Sequence, residues 1–300
     1  MSIYFSSCPN CRSERFNTWG ITVGRDRLHE IQNKCRQCGL IFANPQADHE
    51  AIQQFYNKEY GGSVVSDYLD THSKHMHHVD KIRRLQTMCP QGVVLDIGAG
   101  NGSFLHAAHE AGYEVVGLEP AGEFVEYIQK QWGIDTVLQT TFEQHQFPEA
   151  SFDIIYAWHV IEHVPDIEYF INEIHRILKP GGIALIGTEC HQYTARYLNR
   201  LQSYISGSCP PFVSSHVHTY LFSKRSLKNC WALRGFTIEY LRAYHNPLAY
   251  RLRFLSFHNR ISEYVMPIRE WRISVPHLVD RCCMTGDRLE LFARKTESVG

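Results

Sequence analysis

No stretch of this chain approaches the roughly 18 uninterrupted apolar residues that a membrane-crossing helix needs. Nor does it open on the basic segment and apolar run of a secretory leader, so the cytoplasm is the expected location. Surplus charge is missing too. The formal net charge is −1, far from the basic excess with which a domain grips a phosphate backbone along its length. Internal repeats and low-complexity tracts are absent, which excludes solenoids and compositionally disordered chains. What is left is a 300-residue chain with 44% hydrophobic residues, enough for one large domain with an ample core and a small one beside it.

In VVLDIGAGNGSF, Val93 to Phe104, a β-branched apolar run suited to a parallel strand leads into an acid and three glycines spaced two apart. The dinucleotide fingerprint would put its third glycine three residues after the second, where this chain has Ser103, and that weakens a nicotinamide reading. Gly98, Gly100 and Gly102 still let the turn pass close to a ligand, and Asp96 at the strand end can hold a cationic group. A helix over Ser103 to Ala111 is expected next. A strand from Tyr113 to Leu118 then runs into Glu119, where an acid can accept both hydroxyls of an unphosphorylated ribose. Two more strands, Phe152 to Ala157 and Ile183 to Gly187, flank a helix from about Asp166 to Leu178.

In this order, the motifs resemble a class I S-adenosylmethionine-dependent methyltransferase, strongly so over Gln91 to Thr188. The resemblance implies an α/β fold with a Rossmann-like seven-stranded sheet, closed by an antiparallel strand over Arg288 to Arg294. It also implies S-adenosylmethionine as cofactor. Asp96 would meet the methionine amino group, Gly98 and Gly100 would line methionine and ribose, and Glu119 would take the ribose hydroxyls. Thr141, Phe142 and Glu143 would frame the adenine, although the family often has an acid where this chain has Thr141.

Four of the ten cysteines form two C-x-x-C pairs, Cys8 with Cys11 and Cys35 with Cys38. In a reducing compartment this spacing suits a closed, tetrahedral four-thiolate zinc site, structural rather than catalytic, with a strand pair between the knuckles. The expected organisation is a zinc ribbon over 1–45, a helical connector or cap over 46–90, and the methyltransferase domain with acceptor-side insertions over 91–300. CPNC, CRQCGLIFANPQ and a helix containing FYNKEYG resemble the amino-terminal zinc segment of methyltransferases from bacterial surface-polysaccharide and deoxysugar pathways. Sugar C-methyltransferases share that front end but carry a further domain that would add about a hundred residues, so O-methylation of a sugar is the expectation. A zinc front end also occurs on a ribosomal RNA guanine methyltransferase, which keeps RNA base methylation as the alternative. A non-enzymatic zinc adaptor is the third reading.

Between Cys190 and Arg281 stand 13 Lys and Arg against 4 Asp and Glu, among many aromatics, so this segment suits a small anionic or sugar acceptor. Packing as a solvated helical face is the bland alternative. Within it, Tyr250 to Ile261 reads as a lid or dimer helix, with peripheral contact to anionic lipid as the other option. The loops from Tyr204 to Ser215 read as a closing lid. The sequence leaves the oligomeric state open.

A sugar hydroxyl is a weak nucleophile and calls for a base, for which histidine, with an ordinary pKa of about 6.5, is suited. His159 and His163 follow the fourth strand in AWHVIEHV, and His163 matches the family's E-H pair, as catalyst or loop tether. His218 matches the histidine of the family's H-x-x-x-F-S segment. His218 and His159 are the expected bases. His72, His75, His77 and His78 read as a polar connector helix, and the remaining six cysteines as buried or incidental.

Overall fold

The computed structural model describes residues 2–23, 29–47, 71–191, 212–214, 218–244 and 287–296. Five strands come first: β1 (Ser2–Ile3), β2 (Phe16–Val23), β3 (His29–Cys35), β4 (Ile41–Ala43) and β5 (Gln46–Ala47). Helix α1 (Thr71–Met88) leads to β6 (Val93–Ile97), α2 (Ser103–Glu110), β7 (Glu114–Leu118), α3 (Gly122–Trp132) and β8 (Val137–Leu138). A short 3-10 turn, Phe142–Gln144, precedes β9 (Phe152–Trp158), α4 (Ile167–Ile177) and β10 (Leu178–Glu189). The described chain ends with β11 (Phe212–Ser214), β12 (Tyr220–Leu221), α5 (Lys224–Ala232), β13 (Phe236–Tyr244) and β14 (Arg288–Lys295).

Seven strands form one sheet in the order β13-β14-β10-β9-β6-β7-β8. Strands β6 to β10 run parallel, and β14 lies antiparallel between β10 and β13, as the resemblance implies. The apolar runs explain the central strands: Val94, Leu95, Ile154, Ile155 and Ile183 through Ile186 are fully buried, as befits a parallel sheet covered on both faces. Helix α4 covers one face with Ile167, Phe170, Ile171, Ile174 and Ile177, a 3–4 spacing that makes one apolar stripe. Burying each such side chain contributes about 1.5–3 kcal/mol. The Asp166 carboxylate caps this helix by accepting the Glu168 and Tyr169 N–H groups. Strand β10 starts earlier than expected: Leu178 already pairs with Phe152, and the register shifts before Ile183 resumes opposite Ile154.

A second sheet has the order β11-β2-β3-β4-β12. Its β2–β3 pair is the expected strand pair between the two cysteine knuckles. Chain from beyond β10 completes it: Tyr220 pairs with Phe42 and Leu221 with Ile41, and the Ala43 N–H donates to the Thr219 carbonyl at 2.9 Å. Leu40, Phe42, Tyr220 and Phe222 pack in the same core as Leu95, Ile155 and Ala184. In the connector, β5 pairs with β1 rather than being helical, and α1 lays Ile82 and Leu85 on the opposite face of the large sheet. The FYNKEYG segment and the Tyr250 to Ile261 stretch lie outside the described residues, as does the expected closing loop from Tyr204 to Ser215 except for β11 within it.

One close approach fixes the mouth of the sheet. A Cβ on Gly187 would stand 2.1 Å from the Trp158 ring. Gly187→Ala is therefore expected to displace Trp158 and destabilise the protein by about 1–3 kcal/mol, as overpacking does. Denaturant unfolding monitored by tryptophan fluorescence checks this, and an unchanged midpoint would refute it.

Candidate active site

Strand β6 pairs with β7 on one side and β9 on the other, so a crevice opens at the carboxyl ends of the strands where ligands sit in such sheets. The turn after β6 is shaped by its glycines, with φ of 72°, 54° and 71° at Gly98, Gly100 and Gly102. A Cβ on Gly98 would come within 2.8 Å of Val160, and one on Gly102 within 2.6 Å of Ile128. At Gly100 nothing stands within 4 Å of that position, and this is the open side of the loop.

Asp96 is 1% exposed, and its Oδ1 has no hydrogen-bond partner. Burial, and after it the charge of Glu119, push its carboxyl well above the usual range. Burial also raises Glu119, while N–H groups of Ala121 and Gly100, donating at 2.9 and 2.8 Å, pull it back. Two buried carboxylates at one crevice favour a ligand that brings positive charge and hydroxyl groups. The donor set fits S-adenosylmethionine, whose ammonium Asp96 would hold and whose ribose hydroxyls Glu119 would hold. In register with Asp96 on β9, Tyr156 stacks on Phe104 with ring centroids 3.5 Å apart, and its buried hydroxyl has no partner.

Of the expected adenine frame, Phe142 is spent elsewhere: its ring is buried in the core, 5.1 Å from that of Phe170. Thr141, whose buried Oγ1 lacks a partner, and half-buried Glu143 remain.

On the acceptor side, His159 follows β9 in a left-handed conformation, φ 58°. Its Nδ1 lies 2.7 Å from Glu162 Oε1, and its Nε2 3.1 Å from Arg288 Nη1. Arginine only donates, so Nε2 accepts and Nδ1 donates to Glu162. Both ring nitrogens of His159, one of the two expected bases, are thereby engaged, one with Glu162 and one with Arg288. Glu162 is fully buried and also accepts from Thr188 Oγ1 at 2.8 Å. Burial alone would raise it, but the hydrogen bond from His159 and the neighbouring His163 and His218 hold it far below the usual carboxylate range.

The other two expected histidines come together, the rings of His163 and His218 standing 4.8 Å apart. His218 is buried, its Nδ1 3.5 Å from Glu189 Oε2, and Arg288 donates to Glu189 Oε1 at 2.8 Å. Glu162, Glu189 and Arg288 were missed as site residues. Glu162 stands within the E-H pair and Glu189 two residues before His191, so a local signal existed for both, but nothing near Arg288 marks it. His78 packs inside, bonded to Ser103 Oγ at 3.1 Å at the start of α2, and the side chains of His72, His75 and His77 lie outside those described.

The family described as "Methyltransferase domain", Methyltransf_23, matches residues 66–241, more than half of the chain. The chain belongs to this family. The matched segment is a class I S-adenosylmethionine-dependent methyltransferase domain, and the sheet order and the acidic crevice agree with that membership. The 2-methyl-6-phytyl-1,4-hydroquinone methyltransferase of Synechocystis sp. is 28% identical over 127 residues, 41% of this chain and 40% of that protein. The mitochondrial ubiquinone biosynthesis O-methyltransferase of Mus musculus is 32% identical over 103 residues, 32% of this chain and 28% of that protein. The chain therefore spans less than half the length of these curated relatives. In fold it is similar to a structure of the Haloferax volcanii Trm112 methyltransferase activator complexed with a methyltransferase. That match has a TM-score of 0.58 and 17% identity, over 83% of this chain and 99% of the other. A Burkholderia thailandensis 1,6-didemethyltoxoflavin-N1-methyltransferase matches with TM-score 0.53 and 18% identity, over 86% and 96% of the two chains.

The fold also brings the four amino-terminal cysteines together. Cys8 and Cys38 Sγ are 3.6 Å apart, Cys11 and Cys35 Sγ 3.5 Å, and all four sulfurs lie within 4.8 Å of one another. Four thiolates at 2.3 Å from a tetrahedral zinc ion would be separated by about 3.8 Å, so the donor set fits that ion. The knuckle turns are backbone-closed, Arg12 N–H donating to Cys8 O at 2.9 Å and Gly39 N–H to Cys35 O at 3.1 Å, with Gly39 at φ 80°. Cys190 and Cys230 are buried, in line with the reading of these cysteines as buried or incidental. No helix among the described residues is long and apolar enough to cross a membrane.

Proposed function

We propose that the methyltransferase O-methylates a sugar or a comparable small anionic acceptor in the cytoplasm, with zinc as a structural ion in its ribbon. The observation that carries this reading is the cluster of Glu162, His163 and His218 at the carboxyl edge of β9, the strand beside the one that presents Asp96. An alcohol is a weak nucleophile, so its methylation calls for polar groups that take up or release the hydroxyl proton. When bound, S-adenosylmethionine supplies an electrophilic methyl group on a sulfonium.

The chain's own residues then do the positioning. Asp96 would hold the methionine ammonium of the cofactor and Glu119 its ribose hydroxyls, and the acceptor oxygen must stand about 3–3.5 Å from the methyl carbon, in line with the departing sulfur. Cations at this edge suit an anionic acceptor. Arg288 is largely buried, and the Lys81 ammonium sits 3.9 Å over the Trp158 ring, its pKa pushed down to about 8 by burial. Relatives named as O-methyltransferases support oxygen as the receiving atom, and the resemblance of the zinc segment supports a glycan precursor.

The test is transfer of labelled methyl from S-adenosylmethionine into a lysate of the source organism, with and without nuclease. Label that survives nuclease in a glycan or nucleotide-sugar fraction is the expected outcome. Label lost to nuclease would refute the sugar reading in favour of RNA base methylation.

A further inference from the structure

We propose that Glu162, His163 and His218 bind a divalent first-row transition-metal ion, apart from the four-cysteine centre, and that the acceptor hydroxyl binds to that ion. The inference rests on the hydroxyl reading above. Ligand atoms of the three side chains lie within 4.8 Å of one another. Two imidazoles and one carboxylate form a set that leaves coordination positions open, the arrangement of a catalytic rather than a closed site.

The site is preorganised from two distant parts of the chain. Glu162 and His163 stand in the turn after β9, and His218 just before β12. The N–H groups of Thr219 and Tyr220 both donate to the Glu162 carbonyl, at 2.9 and 3.2 Å, which joins the two parts at the ligands themselves. The ligands also have outer partners. His159 and Thr188 hold the two oxygens of Glu162, and Glu189 stands 3.5 Å from Nδ1 of His218. A carboxylate at one ring nitrogen is the usual companion of a histidine that ligates through the other.

The chemistry balances without a redox partner. The acceptor hydroxyl coordinates the ion, its pKa falls, and its proton passes to water. The alkoxide lone pair forms the new oxygen–carbon bond as the carbon–sulfur bond breaks, and the electron pair leaves on sulfur as the neutral thioether S-adenosylhomocysteine.

The full chain, purified with its ribbon metal in place, is titrated with Co(II), and bound metal is counted by elemental analysis. Wild-type protein should hold two metal ions per chain, the second without a thiolate charge-transfer band. His163→Ala and His218→Ala should each hold one, with the thiolate-bound ion retained, and Glu189→Gln should weaken the second ion roughly 10- to 100-fold. S-adenosylmethionine binding by each variant reports that the sheet is intact, and half-buried His163 is the substitution least disruptive to packing. One ion per wild-type chain at saturating Co(II), or two in the His163→Ala protein, would overturn the proposal. Labelled sugar with no second ion refutes the metal and leaves the function standing. A second ion with no labelled sugar does the reverse.

Discussion

Asp96→Asn is expected to weaken S-adenosylmethionine binding by two to three orders of magnitude while making the ligand-free protein more stable near neutral pH. The binding loss follows from removing one member of a buried charge pair, which costs about 3–5 kcal/mol. At 1.4 kcal/mol per decade, that is a loss of at least about a hundredfold in affinity. The stability gain follows from the direction of the pKa shift. Burial, and then Glu119, raise the Asp96 carboxyl well above the usual range in the folded chain. A group raised on folding contributes its stability below the unfolded value, about 3.9, and loses it as pH climbs through the folded value. At neutral pH the folded chain therefore bears the cost of an ionised or strained Asp96, and asparagine removes it. Below the raised pKa the free protein carries a proton on Asp96 that a cationic ligand expels, so wild-type binding should release a proton. Calorimetry in two buffers of different ionisation enthalpy measures that release, and denaturant titrations at pH 5 and 8 measure the stability trend. A variant that binds normally would refute the placement of the cofactor's ammonium.

Cys38→Ser is expected to abolish thiolate-bound metal and methyl transfer while sparing much of the cofactor affinity. Metal binding by isolated zinc-finger peptides supplies about 10–16 kcal/mol toward folding, and loss of one of four ligands forfeits a large share of it. The consequence reaches beyond the ribbon because β4, three residues after Cys38, pairs with β12, and His218 sits two residues before that strand. Asp96 and Glu119, by contrast, stand at the ends of β6 and β7 in the large sheet, away from the strands that pair with the ribbon. The discriminating readouts are the Co(II)–thiolate absorption band, proteolytic release of residues 1–47, and a comparison of turnover with S-adenosylmethionine affinity. If turnover survives loss of the band, the ribbon does not support the acceptor side.

The cofactor half of the site was legible because its chemistry is local. Asp96 near the end of β6 leads into the turn with Gly98 and Gly100, and Glu119 directly follows the next strand, so the order of the strands brings them together without further information. The four cysteines were legible for the same reason, each knuckle carrying two ligands within one turn. Phe142 shows where local reading stops. An aromatic beside Thr141 serves a ligand or a core equally well by sequence, and only the position of Phe170 on α4 decided for the core. His159 is similar: it lies at the expected strand end, but Arg288, 129 residues away, occupies the nitrogen that a base would need.

Sequence by itself determined the strand and helix periods, the glycine turn with its acids, and the cysteine knuckles, since each depends on residues within a turn or two of one another. Tertiary structure alone decided that Tyr220–Leu221 completes the ribbon's sheet and that His163, His218, Glu162 and Glu189 face one another. Those contacts join segments separated by tens of residues. They are set by sheet pairing and by the burial of Phe42, Tyr220 and Phe222 in a shared core, which no local pattern encodes.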